Sequence, residues 1–159
     1  MIGTIFPKGN YDEIDYFNEA MWCNKNGALI EDKGDFYEVV ALPEPTLDEV
    51  KAQKIEALKA ERDRLEVEDI TVNGCTYDYD DKARERINNA IIALQASGQT
   101  IYWTLADNAS VLVSANDLIS VVSAVAVRSN TLHVAYRKAK EAVNAAITAE
   151  KVQVVELEV

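Results

Sequence analysis

The sequence is poor in the residues that most often mark a catalytic or metal centre. It holds a single histidine, His133, and two cysteines, Cys23 and Cys75, in separate segments. Two thiols this far apart do not make a disulfide framework, so both read as buried free thiols of a protein made in a reducing compartment. Neither has a histidine or second cysteine at ligand spacing, so no metal is expected. The six glycines are scattered, each at a turn or a helix stop, and none forms a phosphate-cradling loop. Basic residues are also scarce: sixteen Lys and Arg against twenty-seven Asp and Glu give a formal charge of -11. Such a surface repels phosphate backbones and anionic lipid, so neither nucleic acid nor membrane is expected as partner. The most apolar run, Leu118 to Val127, is about half the length of a membrane span. What remains is a chain that is 48% hydrophobic, enough for a real core.

Three segments follow from patterning. Residues 1–45 read as a small module: a strand near Ile2 to Phe6, a helix from Asp12 to Lys25 stopped by Gly27, and a hairpin around Lys33-Gly34. Ile14, Phe17, Met21 and Trp22 recur at helical spacing and are assigned to one face of that helix. Pro43-Glu44-Pro45 closes the module. Residues 46–66 form a helix opened by a Thr46/Glu49 capping box. Its apolar stripe is interrupted by Lys51 and Arg62, so an exposed connector is expected, in preference to one strand of a coiled coil.

Residues 67–159 carry the sharpest local signals. Asn73-Gly74 is a two-residue hairpin turn that puts Ile70, Val72, Cys75, Tyr77 and Tyr79 on one face. Asp80 or Asp81 caps a helix that runs to Ala96, before Gly98. A second hairpin turns at Asp107 to Ala109, with Ile101, Trp103, Leu105, Val111 and Val113 inward. Ser114 and Asp117 form a second capping box, opening a long helix to Ala146, and Lys151 to Val159 reads as a turn and strand. The expected fold class is α+β, with two ββα units stacked through their sheets.

Candidate chemistry is thin. Asp78, Asp80 and Asp81 lack the alternation of a calcium loop, and a strand position with an N-cap accounts for them. His133 has no orienting carboxylate nearby in sequence, so a packed or partner-facing imidazole is favoured over a general base. Tyr102 falls on the outer face of its strand, where an aromatic suits a protein interface. Tyr102 and His133 are therefore the candidate partner-binding residues of a protein that binds and does not catalyse.

A set of residues carries a family likeness. It comprises Ala60-Glu61-Arg62-Asp63, Ile70 to Gly74, Asp80 with Arg84, Trp103, Thr104, Asp107 and Asn108, and then Ala126-Val127-Arg128 with Leu132, His133, Ala135 and Tyr136. Over Lys51 to Val143 the chain thereby resembles a domain of unknown function from phage and prophage proteins encoded beside tail-fibre genes. Glu19, Ala20, Trp22, Asn26, Gly27 and the Pro43–Pro45 end look like the module that often precedes it. One departure is Cys75, where a polar residue or histidine would be expected. The resemblance implies a tail-fibre assembly factor that binds the distal end of the fibre. The alternative is a permanent structural or receptor-binding subunit of the virion tail. A fibre protein is the implied partner, with self-association as a trimer on a threefold fibre. The implied setting is the host cytoplasm during assembly, or the virion tail.

Overall fold

The computed structural model describes Met1–Val159, and the chain divides into two compact units, Met1–Pro45 and Thr46–Val159. The first unit holds β1 (Ile5–Pro7), α1 (Glu13–Asn26), β2 (Ala28–Asp32) and β3 (Phe36–Ala41). The strands form one antiparallel sheet in the order β1-β3-β2, so the last strand is central and α1 makes the crossover that carries the chain from β1 past it to β2. Asp12 caps α1 by accepting from the amides of Ile14 and Asp15, and Gly27 ends it in the left-handed region at φ 62°. The core is small: Phe6, Cys23, Ala28 and Val39, with Tyr16, Trp22, Ile30 and Tyr37 packed against them. Edge-on aromatic contacts among Phe6, Tyr11, Tyr16 and Tyr37 extend it. Burial raises the Tyr16 phenol above its ordinary value, with Tyr37 and Tyr11 adding to the effect.

The second unit holds α2 (Leu47–Glu66), β4 (Ile70–Val72), β5 (Cys75–Tyr77), α3 (Asp81–Ser97), β6 (Ile101–Thr104), β7 (Ser110–Val113), α4 (Ala115–Ala145) and α5 (Ala149–Gln153). It is α+β, as the patterning implies. The first hairpin forms in the expected register, whereas the second turns one residue earlier than expected, through Ala106 to Asn108, with the Leu105 amide donating to the Ala109 carbonyl. Val72 opposes Cys75 across Asn73-Gly74, and Trp103 opposes Val111. Asn73 and Asn108 both adopt positive φ, 53° and 65°, the conformation that a tight hairpin turn demands and that asparagine tolerates best after glycine. The hairpins remain two separate two-stranded sheets, joined where the Ala106 amide donates to the Thr76 carbonyl at 3.0 Å. Tyr77, Tyr79, Ile87, Leu94, Trp103, Leu105, Val113, Leu118 and Val121 make one core beneath them.

Two expectations fail in this unit. The helix assigned as an exposed connector is a packed element: Leu58 is buried with Ala139, Val143, Ala146 and Val152, and Leu47, Val50 and Ile55 lean on that cluster. The lysines that interrupt its stripe explain the difference. Lys51 Nζ donates to the Asn144 carbonyl and Lys54 Nζ to the Gln153 carbonyl, each at 2.9 Å. Their aliphatic stems cover the seam while the ammonium groups meet carbonyls at the ends of α4 and α5, where the helix dipole favours cations. The second failure is the terminal strand. Residues 149–153 form α5, and Val155 and Leu157 pack as irregular chain on the same cluster.

Candidate protein-binding surfaces

The period of two in β6 turns Trp103 inward, 7% exposed, and Tyr102 outward, 79% exposed. Tyr102 lies directly opposite Leu112 in the register, and Leu112 is itself 53% exposed. The two side chains therefore stand side by side on the outer face of the hairpin, flanked by exposed Thr104 and Ser110. The face is held rigidly. Asn108 closes the loop, the Leu105 amide donates to Ala109 O at 2.8 Å, and Asp107 accepts from the Ala109 amide at 2.9 Å. Behind it, the Arg86 guanidinium lies 5.0 Å from the centre of the Trp103 ring. An aromatic with a polar tip beside an aliphatic, on a braced strand pair, is the composition of an interface anchor.

His133 occupies a different setting from the one expected. Its Nε2 lies 3.0 Å from Glu66 Oε1, and Ser129 donates to that same oxygen at 2.8 Å. The orienting carboxylate comes from the far end of α2, a long-range pairing that no local spacing reveals. The geometry is a clasp. The Ser129 hydroxyl donates its hydrogen bond to the carboxylate, so serine and imidazole share one oxygen of Glu66. Its neighbours complete the clasp. Arg128 Nη2 donates to the Glu66 carbonyl at 2.8 Å, and Nη1 to those of Glu68 and Asp69 at 2.8 and 3.3 Å. These are the orphan carbonyls that close α2 and lead into β4. One turn on, the Arg62 guanidinium lies 4.8 Å from the Tyr136 ring centre. The Arg128, His133 and Tyr136 positions of the family likeness thus build the α2–α4 seam, and the half-exposed imidazole sits on its rim.

A further apolar surface lies on α1. On α1 the helical spacing puts Ile14, Phe17 and Met21 on one face with Trp22, and these three are 70%, 63% and 45% exposed. The helix packs through Tyr16, Trp22 and Cys23 instead. The aromatic pull of Phe6 and Tyr37 on Tyr16, at 5.3 and 5.5 Å, sets the rotation of the helix. The signal was present in the sequence as a second apolar stripe, Tyr16, Ala20 and Cys23, on the side that faces the sheet.

No group of three or more His, Cys, Asp or Glu side chains is placed to hold a metal ion. Cys23 is buried and Cys75 half-buried, both as free thiols. The second unit carries two grooves of about 330 and 430 Å³ along the Val154–Glu158 tail. The first runs between Leu58, Leu65 and Leu157, with Lys54 and Glu61 at its mouth.

A model of a domain of unknown function covers residues 49–156, which takes in all but the edges of the second unit and none of the first. No curated protein and no solved structure matches the chain.

Proposed function

The chain belongs to the DUF4376 family, a domain of unknown function, and we propose that it works by binding another polypeptide, a phage tail-fibre protein, as an assembly factor at the distal end of the fibre. The observation that carries the binding reading is the Tyr102–Leu112 pair, an apolar anchor exposed on a braced hairpin of a strongly acidic chain. The fibre as partner is supported by the residues of the family likeness, from Ala60 to Tyr136. An unfinished fibre end exposes apolar surface, and a small, highly charged protein that covers it keeps it soluble until folding is complete. The mechanism needs no bond making. Tyr102 and Leu112 lose water against the fibre, while the net negative charge of the chain disfavours non-specific association with other anionic surfaces.

The test is co-expression with the adjacent fibre gene, with and without Tyr102→Ala and Leu112→Ser, followed by mass spectrometry of purified virions. An assembly factor is absent from virions, and its deletion removes soluble fibre. Stoichiometric presence would make it instead a permanent tail subunit. The double substitution is expected to weaken the complex by about thirtyfold, the effect of losing one anchor of about 2 kcal/mol. Wild-type protein that forms no complex with the fibre would sink the proposal.

A further inference from the structure

We propose that β7 is an interaction edge on which a second copy of this chain adds its own β7, antiparallel, to make one four-stranded sheet. In the β6–β7 ladder the Leu105 amide bonds to the Ala109 carbonyl, so Trp103 opposite Val111 and Ile101 opposite Val113 are hydrogen-bonded pairs as well. The alternate residues of β7, Ser110 and Leu112, therefore aim their amides and carbonyls away from β6. The sheet ends there at two strands, and no other backbone group takes them up. The first hairpin meets the second on the other side, where the Ala106 amide, just past β6, donates to the Thr76 carbonyl. β7 also lacks the charge, proline or bulge with which soluble proteins guard an open edge.

The edge itself selects the occupant. Open amides and carbonyls at this spacing are matched by an extended strand. That strand must bring no charge, because Asn108 to Asn116 is uncharged in a chain of formal charge -11 and offers nothing to pair with it. β7 of a second copy meets both conditions and is already extended, so pairing orders no new chain. One register satisfies the whole edge. With the twofold axis between the two Val111 residues, Ser110 exchanges both hydrogen bonds with the second copy's Leu112, and Leu112 with the second copy's Ser110. A shift of the pairing by two residues brings in Asn108, which has left the strand at φ 65°, or Ser114, whose amide and carbonyl already bond to Asp117 and Leu118. Opposed residues share a face, so both copies keep Val111 and Val113 inward and Tyr102 and Leu112 outward. The half-buried Val111 meets its own counterpart in the kind of pair that brings side chains closest. This is the self-complementary contact of a twofold dimer.

The pairing does not rest on the fibre reading, and the two fail separately, since this test uses the full chain alone. Analytical ultracentrifugation should show a reversible monomer–dimer equilibrium, with half-dimerisation at about 10–100 µM for a contact this small. Across that range, hydrogen exchange followed by NMR should slow severalfold at the Ser110 and Leu112 amides. It should stay unchanged at Tyr102 and Thr104, whose amides face the opposite edge. Ser110→Pro removes an amide that the β6–β7 ladder does not use. It should weaken dimerisation at least tenfold and leave the near-ultraviolet circular dichroism spectrum unchanged. Ser110→Glu, which adds an acid to an exposed position on each strand, should weaken it severalfold. A wild-type chain that stays monomeric at several hundred micromolar overturns the proposal, even if an extended segment of another protein is then found on β7. So does association that leaves the Ser110 and Leu112 amides unprotected, or that is indifferent to both Ser110 substitutions.

Discussion

The two units solve the same problem with unequal means. The first buries four side chains completely enough to count as core and turns an apolar stripe outward. The second buries two clusters around one long helix, seals two helices with capping boxes, and joins α2 to α4 by side chains that reach helix-end carbonyls. The family match follows the same line and stops at the boundary. The difference shows where stability and where adhesiveness reside. A short unit has too little interior to be rigid by itself, and surface left uncovered is where it has something to gain from a partner.

The strongest break in this comparison comes from the cores. Phe6→Ala should cost about 3–5 kcal/mol, more than so short a unit can hold in reserve. Segment-resolved hydrogen exchange should then show residues 1–45 exchanging freely while 46–159 keep their protection. Leu118→Ala, at a side chain 0% exposed, should cost about 2–5 kcal/mol and leave the second unit folded at a lower denaturation midpoint. If either substitution loosened both units alike, the division would not hold energetically.

A finer cut lies inside the second unit. Arg128→Leu leaves the Glu66, Glu68 and Asp69 carbonyls without their donor and should cost about 2 kcal/mol in urea denaturation. The neighbouring His133→Ala removes only a half-exposed contact and should cost less than about 1 kcal/mol. An effect of similar size is expected at the start of α4. Ser114→Ala removes the cap that accepts from the Asp117 amide, worth about 1 kcal/mol. Hydrogen bonds from the Ser114 hydroxyl and then its amide hold the Asp117 carboxyl below its ordinary value. The contribution of Asp117 is therefore complete above the unfolded-state value of about pH 4 and is lost as pH falls through the lower folded-state value. The substitution should accordingly lower stability at neutral pH and flatten its decline in acid, followed by thermal denaturation between pH 2 and 7.

Much of the second unit is legible because its signals are local. Asn73-Gly74, the Asp80 cap, Gly98, and the Thr46 and Ser114 boxes each act within a few residues, so their geometry follows from adjacent chemistry. The alternation of Ile101, Trp103 and Leu105 likewise assigns Tyr102 outward. What could not be read depends on distant partners. Lys51 interrupts a stripe only until the Asn144 carbonyl is placed beside it, and His133 lacks a carboxylate only until Glu66 arrives from another helix. The α1 stripe misled for a related reason. Two apolar sides compete on that helix, and the aromatic contacts from the sheet decide between them.

The α4 helix runs unbroken from Ala115 to Ala145. At about 1.5 Å per residue it is a rod of roughly 46 Å. One core grips it near Leu118 and Val121, the other near Ala139 and Val143, and Arg128 and His133 fasten it to α2 between them. Fixed at both ends and the middle, it behaves as a ruler. A macromolecule held at one end of the second unit is kept at a set distance from whatever is held at the other, and that spacing is a property no single surface residue can change.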